Sequence, residues 1–161
     1  RELDDESYQV RESADRRLRA IGPSVREKLV AAFEQSPPEV QYRVRGILEH
    51  FDRQQLTGAW QLVRWEKNGI AETGKSNIIY IDPDEWRAGQ WKFEYRTNPL
   101  AEPRQHDAVL GDRVQLGIFK IEGDRLHLCV SNIGSDQRPT RFQTEEGDGF
   151  EYHVRVRIRE E

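Results

Sequence analysis

Near Asp52 the spacing of apolar side chains changes from about 3.6 residues to about 2, so the chain must build two unlike parts. Upstream, Val10, Ala14, Leu18 and Ile21 fall on one helical stripe, and Val40, Val44, Ile47, Leu48 and Phe51 on another. The first helix starts at Asp4 or Ser7, whose side-chain oxygens can accept from the unpaired N–H groups of a first turn. It stops at Gly22, which tolerates a left-handed cap. Pro23 opens a second helix, because its fixed φ suits a first turn and its missing N–H is not needed there. Val25, Leu29, Val30 and Phe33 form the buried face of that helix, and Ser36-Pro37-Pro38 ends it. A third helix runs from Glu39 to about Phe51, and a short linker at Asp52 to Gln55 follows.

Beyond the linker the pattern is that of strands. Trp91, Phe93 and Tyr95 alternate with polar neighbours, and Phe150, Tyr152, Val154, Val156 and Ile158 alternate with Glu151, His153, Arg155, Arg157 and Arg159. Gly117 to Lys120 and Arg125 to Val130 flank Ile121-Glu122-Gly123-Asp124, a hairpin signal because Gly accepts the positive φ of tight turns. Thr57 to Glu66, Asn77 to Asp82 and Arg141 to Thr144 bring the total to about seven or eight short strands with no helix between them. This favours a meander barrel or sandwich over a parallel α/β sheet.

Composition narrows the function. The chain has 161 residues, 35% hydrophobic and 34% charged, enough for one compact domain or two small ones with a modest core. A net charge of -4 gives no global positive field to draw it onto nucleic acid or an anionic membrane. There is no signal segment and no apolar run of about 18 residues to span a bilayer, so neither nucleic acid nor a membrane is expected as a partner of this portion. With Arg at position 1 and no Met, the chain reads as processed or trimmed. Cys129 is the single cysteine and cannot form an internal disulfide.

Nothing in the sequence marks a catalytic, cofactor or metal residue. Gly-x-Ser-x-Gly, a phosphate-cradling Gly loop and a dinucleotide fingerprint are all missing. His127 and Cys129 share a strand face, but Cα atoms two residues apart lie roughly 6.5 to 7 Å apart, too far to assume a dyad. Cys129 is expected to pack as a small hydrophobe. His50, His106 and His153 have no ligand spacing. His106-Asp107 reads as a solvated pair in a loop before a strand.

Leu56-Thr57-Gly58-Ala59-Trp60 opens a strand with Gly-x-Trp, which then reaches a polar turn at Lys67-Asn68-Gly69. Further on come Gly117-Ile118-Phe119-Lys120-Ile121-Glu122-Gly123-Asp124-Arg125-Leu126-His127-Leu128-Cys129 and Arg138-Pro139-Thr140-Arg141-Phe142. Over residues 55–160 these segments resemble the lipocalin-like domain that recurs in planctomycete bacteria. The chain departs from that pattern at Pro103-Arg104-Gln105-His106-Asp107, where His106 takes an aliphatic position. Leu3 to Phe51 is similar to a HEAT-like helical hairpin plus one helix. The resemblance implies an α+β chain in which residues 1–53 form a three-helix HEAT-like segment and residues 54–161 an antiparallel lipocalin-like barrel. It transfers no activity and no ligand.

In a barrel that begins this way, Trp60 is implied to plug one end, with Arg157 or Arg159 lying across its indole for roughly 0.5 to 2 kcal/mol. Tyr80, Trp86, Trp91, Phe93, Tyr95, Phe119, Phe142 and Phe150 either line an apolar cavity or fill the interior themselves. Arg155, Arg157 and Arg159, extended by Arg138 and Arg141, read as an exposed basic ladder, and the negative net charge favours a solubilising role over RNA binding. A HEAT-like unit cannot bury both its apolar faces alone, so it needs further repeats, the barrel or a partner. The expected function is thus a non-enzymatic binding module that docks an unknown protein partner through its helices and barrel surface. The alternative is a small apolar ligand held inside the barrel. An open cavity of about 300 Å³ or more favours carriage, and a filled interior favours surface recognition.

Overall fold

A computed structural model describes residues 2–73 and 77–159. It divides the chain into two units, Arg1–Gln54 and Gln55–Glu161.

In the first unit, helix α1 (Tyr8–Ile21) begins one residue after Ser7, whose hydroxyl does not cap it. Asp5 instead accepts the Ser7 N–H at 2.8 Å. The helix ends at Gly22, which has φ 81° and donates its N–H back to Leu18. Pro23 leads a single 3-10 turn before α2 (Arg26–Phe33) starts. Helix α3 (Pro38–Leu56) runs five residues past the expected stop at Phe51. Asp52 to Gln55 contain no helix breaker, and the helix gives way only before Gly58, at φ 135°. Arg43 joins α3 to Glu12 of α1 at 2.8 Å. The buried stripe of α3 is Val40, Val44, Ile47, Leu48 and Phe51. Among the described residues no helix is long and apolar enough to cross a membrane.

Among the described residues the second unit has nine antiparallel strands: β1 (Gly58–Lys67), β2 (Ile70–Glu72), β3 (Ile78–Ile81), β4 (Glu85–Ala88), β5 (Trp91–Asn98), β6 (Gln105–Leu110), β7 (Arg113–Glu122), β8 (Arg125–Ser131) and β9 (Phe150–Arg157). Strands β1 and β3 to β9 follow one another in order, and β9 pairs back onto β1 from Trp60 opposite Arg157 to Lys67 opposite Glu151. This closes an eight-stranded up-and-down barrel, the architecture that lipocalins use, after three amino-terminal helices. β2 hangs on the far end of β1 through a two-residue turn, Asn68-Gly69, with φ of 52° and 72°, as a type I′ hairpin requires. The hairpin at Gly123 forms where the sequence puts it, with Glu122 opposite Arg125. Gly117 sits where β6, β7 and β8 crowd together: a Cβ there would lie 2.8 Å from the His106 carbonyl oxygen.

Three further expectations need correction. Arg141 to Thr144 is not a strand. It belongs to the connection between β8 and β9, which straps the outer face of β7 to β9 and places Phe142 and Phe150 against Ile118, Cys129, Tyr152 and Val154. The strap is tied down by Arg138, which donates to both Asp107 oxygens at 2.5 and 2.9 Å and to the Gly117 carbonyl at 2.7 Å. Thr144 adds its N–H, donated to the buried Glu66 carboxylate at 2.8 Å. Next, His106-Asp107 lies inside strand β6 rather than in a loop, and the two residues point apart. Finally, the two faces of β9 are the reverse of the expected ones. Tyr152 and Val154 lie outside under the strap, so that face is apolar although it is not the barrel interior. His153 and Arg155 point inward, and Arg155 is only 3% exposed.

Candidate functional site

The barrel is closed at one end by Trp60. Its indole is wholly buried and donates Nε1–H to the Leu56 carbonyl at 2.7 Å. Arg157, directly opposite in the β1–β9 pairing, lies with its guanidinium carbon 4.1 Å from the Trp60 ring centroid and donates to the carbonyls of Thr57 and Gln55, each at 2.5 Å. The glycine of Gly-x-Trp has a direct reason: a Cβ on Gly58 would sit 2.7 Å from Arg157 Nη1. Of the two cations proposed for the plug, Arg157 therefore fills the role. Arg159 does not; it is exposed and pairs with Asp124 at 2.5 Å.

Next to the plug, Trp60, Ile81, Tyr95, Phe119 and Leu126 form a dry core. His106 is embedded in it, 1% exposed, with Trp86 at 4.9 Å, Tyr95 stacked at 5.3 Å and Phe119 at 6.3 Å. Neither ring nitrogen has a hydrogen-bond partner among the described residues, and burial pushes the imidazole down to about 4 against a weaker opposing pull from Asp107. The imidazole thus occupies a packing position as a neutral ring.

Farther from the plug the interior is hollow. A cavity of about 190 Å³ is lined by Ile79, Trp86, Ala88, Phe93, Ala108, Leu128 and Val130 on its apolar side and by Asn77, Gln115, His153 and Arg155 on its polar side. A bulge in β1 between Leu62 and Arg64 resets the alternation, so that Trp65 and Lys67 come to face His153 and Glu151 across the β1–β9 pairing. Arg155 donates Nη1 to the Asn77 side-chain oxygen at 2.7 Å, while its Nε has no partner among the described residues. Burial alone pushes this guanidinium down to about 10, with no carboxylate among the described residues acting against it. His153 lies 3.4 Å from Glu151 through Nε2, and its Nδ1 has no partner among the described residues. Burial lowers its proton affinity, Glu151 pulls the other way, and Arg155 adds to the lowering. Glu151 itself is held at about 2 by His153, with Lys67 and the Trp65 indole also donating to it. Around this cavity the Trp86 indole N–H is a third buried polar atom without a partner among the described residues.

The eight aromatics expected around a cavity separate into three groups. Trp86 and Phe93 line it. Tyr95 and Phe119 pack in the dry core beside it. The other four do not face it: Tyr80 is 48% exposed on the outer face of β3, Trp91 is 54% exposed at the β4–β5 turn, Phe142 belongs to the strap, and Phe150 packs beneath it. His127 and Cys129 are also on the outer, strapped face. His127 Nδ1 shares a 2.7 Å hydrogen bond with the Tyr152 hydroxyl, while the buried Cys129 thiol points at the Gln143 carbonyl and is pushed up to about 12, chiefly by burial. Among the described residues its hydrogen bond runs to a backbone carbonyl and not to a histidine, and its chemistry is that of a packed side chain. The described residues contain no cluster of three or more His, Cys, Asp or Glu side chains that could hold a metal ion.

Sequence reasoning missed the polar wall, Asn77, Gln115, His153 and Arg155. The signal was available in the expected plug. If Arg157 reaches Trp60, the two-residue period of a strand turns Arg155 and His153 inward as well, which is incompatible with an exposed ladder of Arg155, Arg157 and Arg159. No family model, curated protein or solved structure matches the chain.

Proposed function

We propose that this chain is a non-enzymatic binding module whose lipocalin-like barrel holds one small ligand. The observation that carries this reading is the cavity of about 190 Å³ between Trp86 and Arg155, with apolar side chains on one wall and the polar side chains of Asn77, Gln115, His153 and Arg155 on the other. Small-molecule sites combine concave apolar surface with a few placed polar groups in this way. At about 190 Å³ the cavity does not reach the roughly 300 Å³ expected of a carrier, although the interior is not filled either, so a ligand held there must be compact. The dry core around Trp60 and Phe119 supports binding rather than transport through the barrel.

Docking of a protein through the HEAT-like helices keeps one supporting feature, a groove of about 680 Å³ that includes Leu18, Ile21, Leu29 and Val40. Nothing in that groove selects an occupant, so the barrel interior is preferred. The test uses the intact chain and compact probes such as benzyl alcohol, hexanol, benzoate and hexanoate, read by quenching of tryptophan fluorescence and by calorimetry. Ala88→Leu, which places bulk in the cavity wall, is expected to abolish probe binding while urea unfolding stays within about 3 kcal/mol of the parent. Failure of every probe to bind, or unchanged binding in Ala88→Leu, overturns the proposal.

A further inference from the structure

Resting on the barrel-ligand reading, we infer that the ligand is a compact hydrophobic monocarboxylate, its carboxylate received by Arg155 and the Trp86 indole N–H and its apolar body lying against Ile79, Phe93 and Leu128. The first step is charge. Arg155 is 3% exposed, and its one side-chain partner among the described residues is the neutral oxygen of Asn77. A buried charge ordinarily has a counter-charge, because the loss of hydration is otherwise uncompensated. The nearest candidate on the same strand face is Glu151, but its carboxylate already receives Lys67 at 2.9 Å, Trp65 at 3.2 Å and His153 at 3.4 Å. One positive charge is therefore left facing the cavity, and one negative charge on a ligand matches it.

Shape and donor pattern narrow the class. With Nη1 turned to Asn77, the Nε side of the guanidinium is left free, and a guanidinium edge fits a planar carboxylate. Trp86 Nε1–H is a donor only and also lacks a partner among the described residues, so it suits the same anion. His153 Nδ1 is an acceptor while Nε2 is turned to Glu151, and an ordered water or a ligand hydroxyl satisfies it. Apart from Gln115, whose amide donates to the Ser131 carbonyl at 2.9 Å, the rest of the wall is hydrocarbon and aromatic: Ile79, Ala88, Phe93, Ala108, Leu128 and Val130. An inorganic anion leaves that surface empty, and a neutral hydrocarbon leaves Arg155 unpaired. An apolar cavity of about 150 Å³ holds benzene, so 190 Å³ suits a single ring or a chain of about six carbons with a carboxylate attached.

The experiment titrates the intact chain with hexanoate and benzoate, with hexanol and benzyl alcohol as neutral counterparts, and with inorganic phosphate. The carboxylates are expected to bind at least tenfold more tightly than the alcohols, and phosphate not to bind. Arg155→Met is expected to erase that preference, leaving alcohol binding intact. Because Arg155→Met could fail to fold, Trp86→Phe supplies a second variant, expected to weaken carboxylate binding alone by about three- to tenfold. Equal binding of alcohols and carboxylates by the parent overturns the carboxylate assignment and leaves the barrel-ligand reading standing. Phosphate binding as tight as hexanoate also overturns it, in favour of an inorganic-anion site. If no probe binds at all, both readings fall.

Discussion

Replacing His106 by Leu should make the barrel less sensitive to acid, by an amount that follows from the burial of one ring. In the folded chain burial keeps His106 neutral down to about 4, whereas in the unfolded chain it takes a proton through its ordinary 6.5. Between those values the unfolded state binds the extra proton, so stability falls as pH drops through 6.5 and levels off below about 4; above 6.5 it does not change. At pH 5 the medium lies about 1.5 pH units below the unfolded value, and at about 1.4 kcal/mol per unit the penalty is about 2 kcal/mol. Leu keeps roughly the volume of the ring and removes two nitrogens that have no hydrogen-bond partner among the described residues, so at pH 7.5 the variant should be at least as stable as the parent. Urea unfolding followed by tryptophan fluorescence at pH 7.5, 6 and 5 measures this cleanly, because all four tryptophans lie in the barrel unit. His50, His127 and His153 also have lowered values, but they contribute to both proteins and cancel in the difference. The gap should widen by about 2 kcal/mol from pH 7.5 to pH 5. A gap that stays flat over that range refutes the placement of His106 as a neutral core ring.

The plug makes two further predictions. Trp60→Ala should cost about 3–5 kcal/mol, a large share of the stability of a domain this size. Gly58→Ala should cost about 1–3 kcal/mol from its φ of 135°, and more from the 2.7 Å approach of Arg157 Nη1. The second part should shrink in an Arg157→Met background, a double-mutant cycle read by urea unfolding. At Cys129 a thiol reagent should react no faster than the barrel unfolds, because the sulfur is buried and its proton is held up to about 12; fast labelling under native conditions contradicts its position under the strap.

Much of the backbone was legible because a few residues leave little choice. Gly22 stops a helix, Gly123 makes a hairpin, and the tight Gly58-Ala59-Trp60 geometry belongs to a plug whose cation comes from the last strand. β4 and β6 were not legible: Glu85–Ala88 is too short for a period, and in Gln105–Leu110 a histidine stands where an aliphatic side chain would mark the inner face. The faces of β9 were misread for a physical reason. Alternation says that two faces differ but not which one is inside, and a strap over the outer face creates a second apolar environment that attracts Tyr152, Val154 and Phe150. Polar residues are then free to turn inward, and those are the residues that give the cavity its chemistry.

Most of the functional reading depends on the direction in which Arg155 points. A crystal structure of the chain grown with hexanoate decides it. Density for the carboxylate against Arg155 and Trp86, with the alkyl chain among Ile79, Phe93 and Leu128, is the predicted result. Tyr152 and Val154 packed inside the barrel, with Arg155 in solvent, would contradict it.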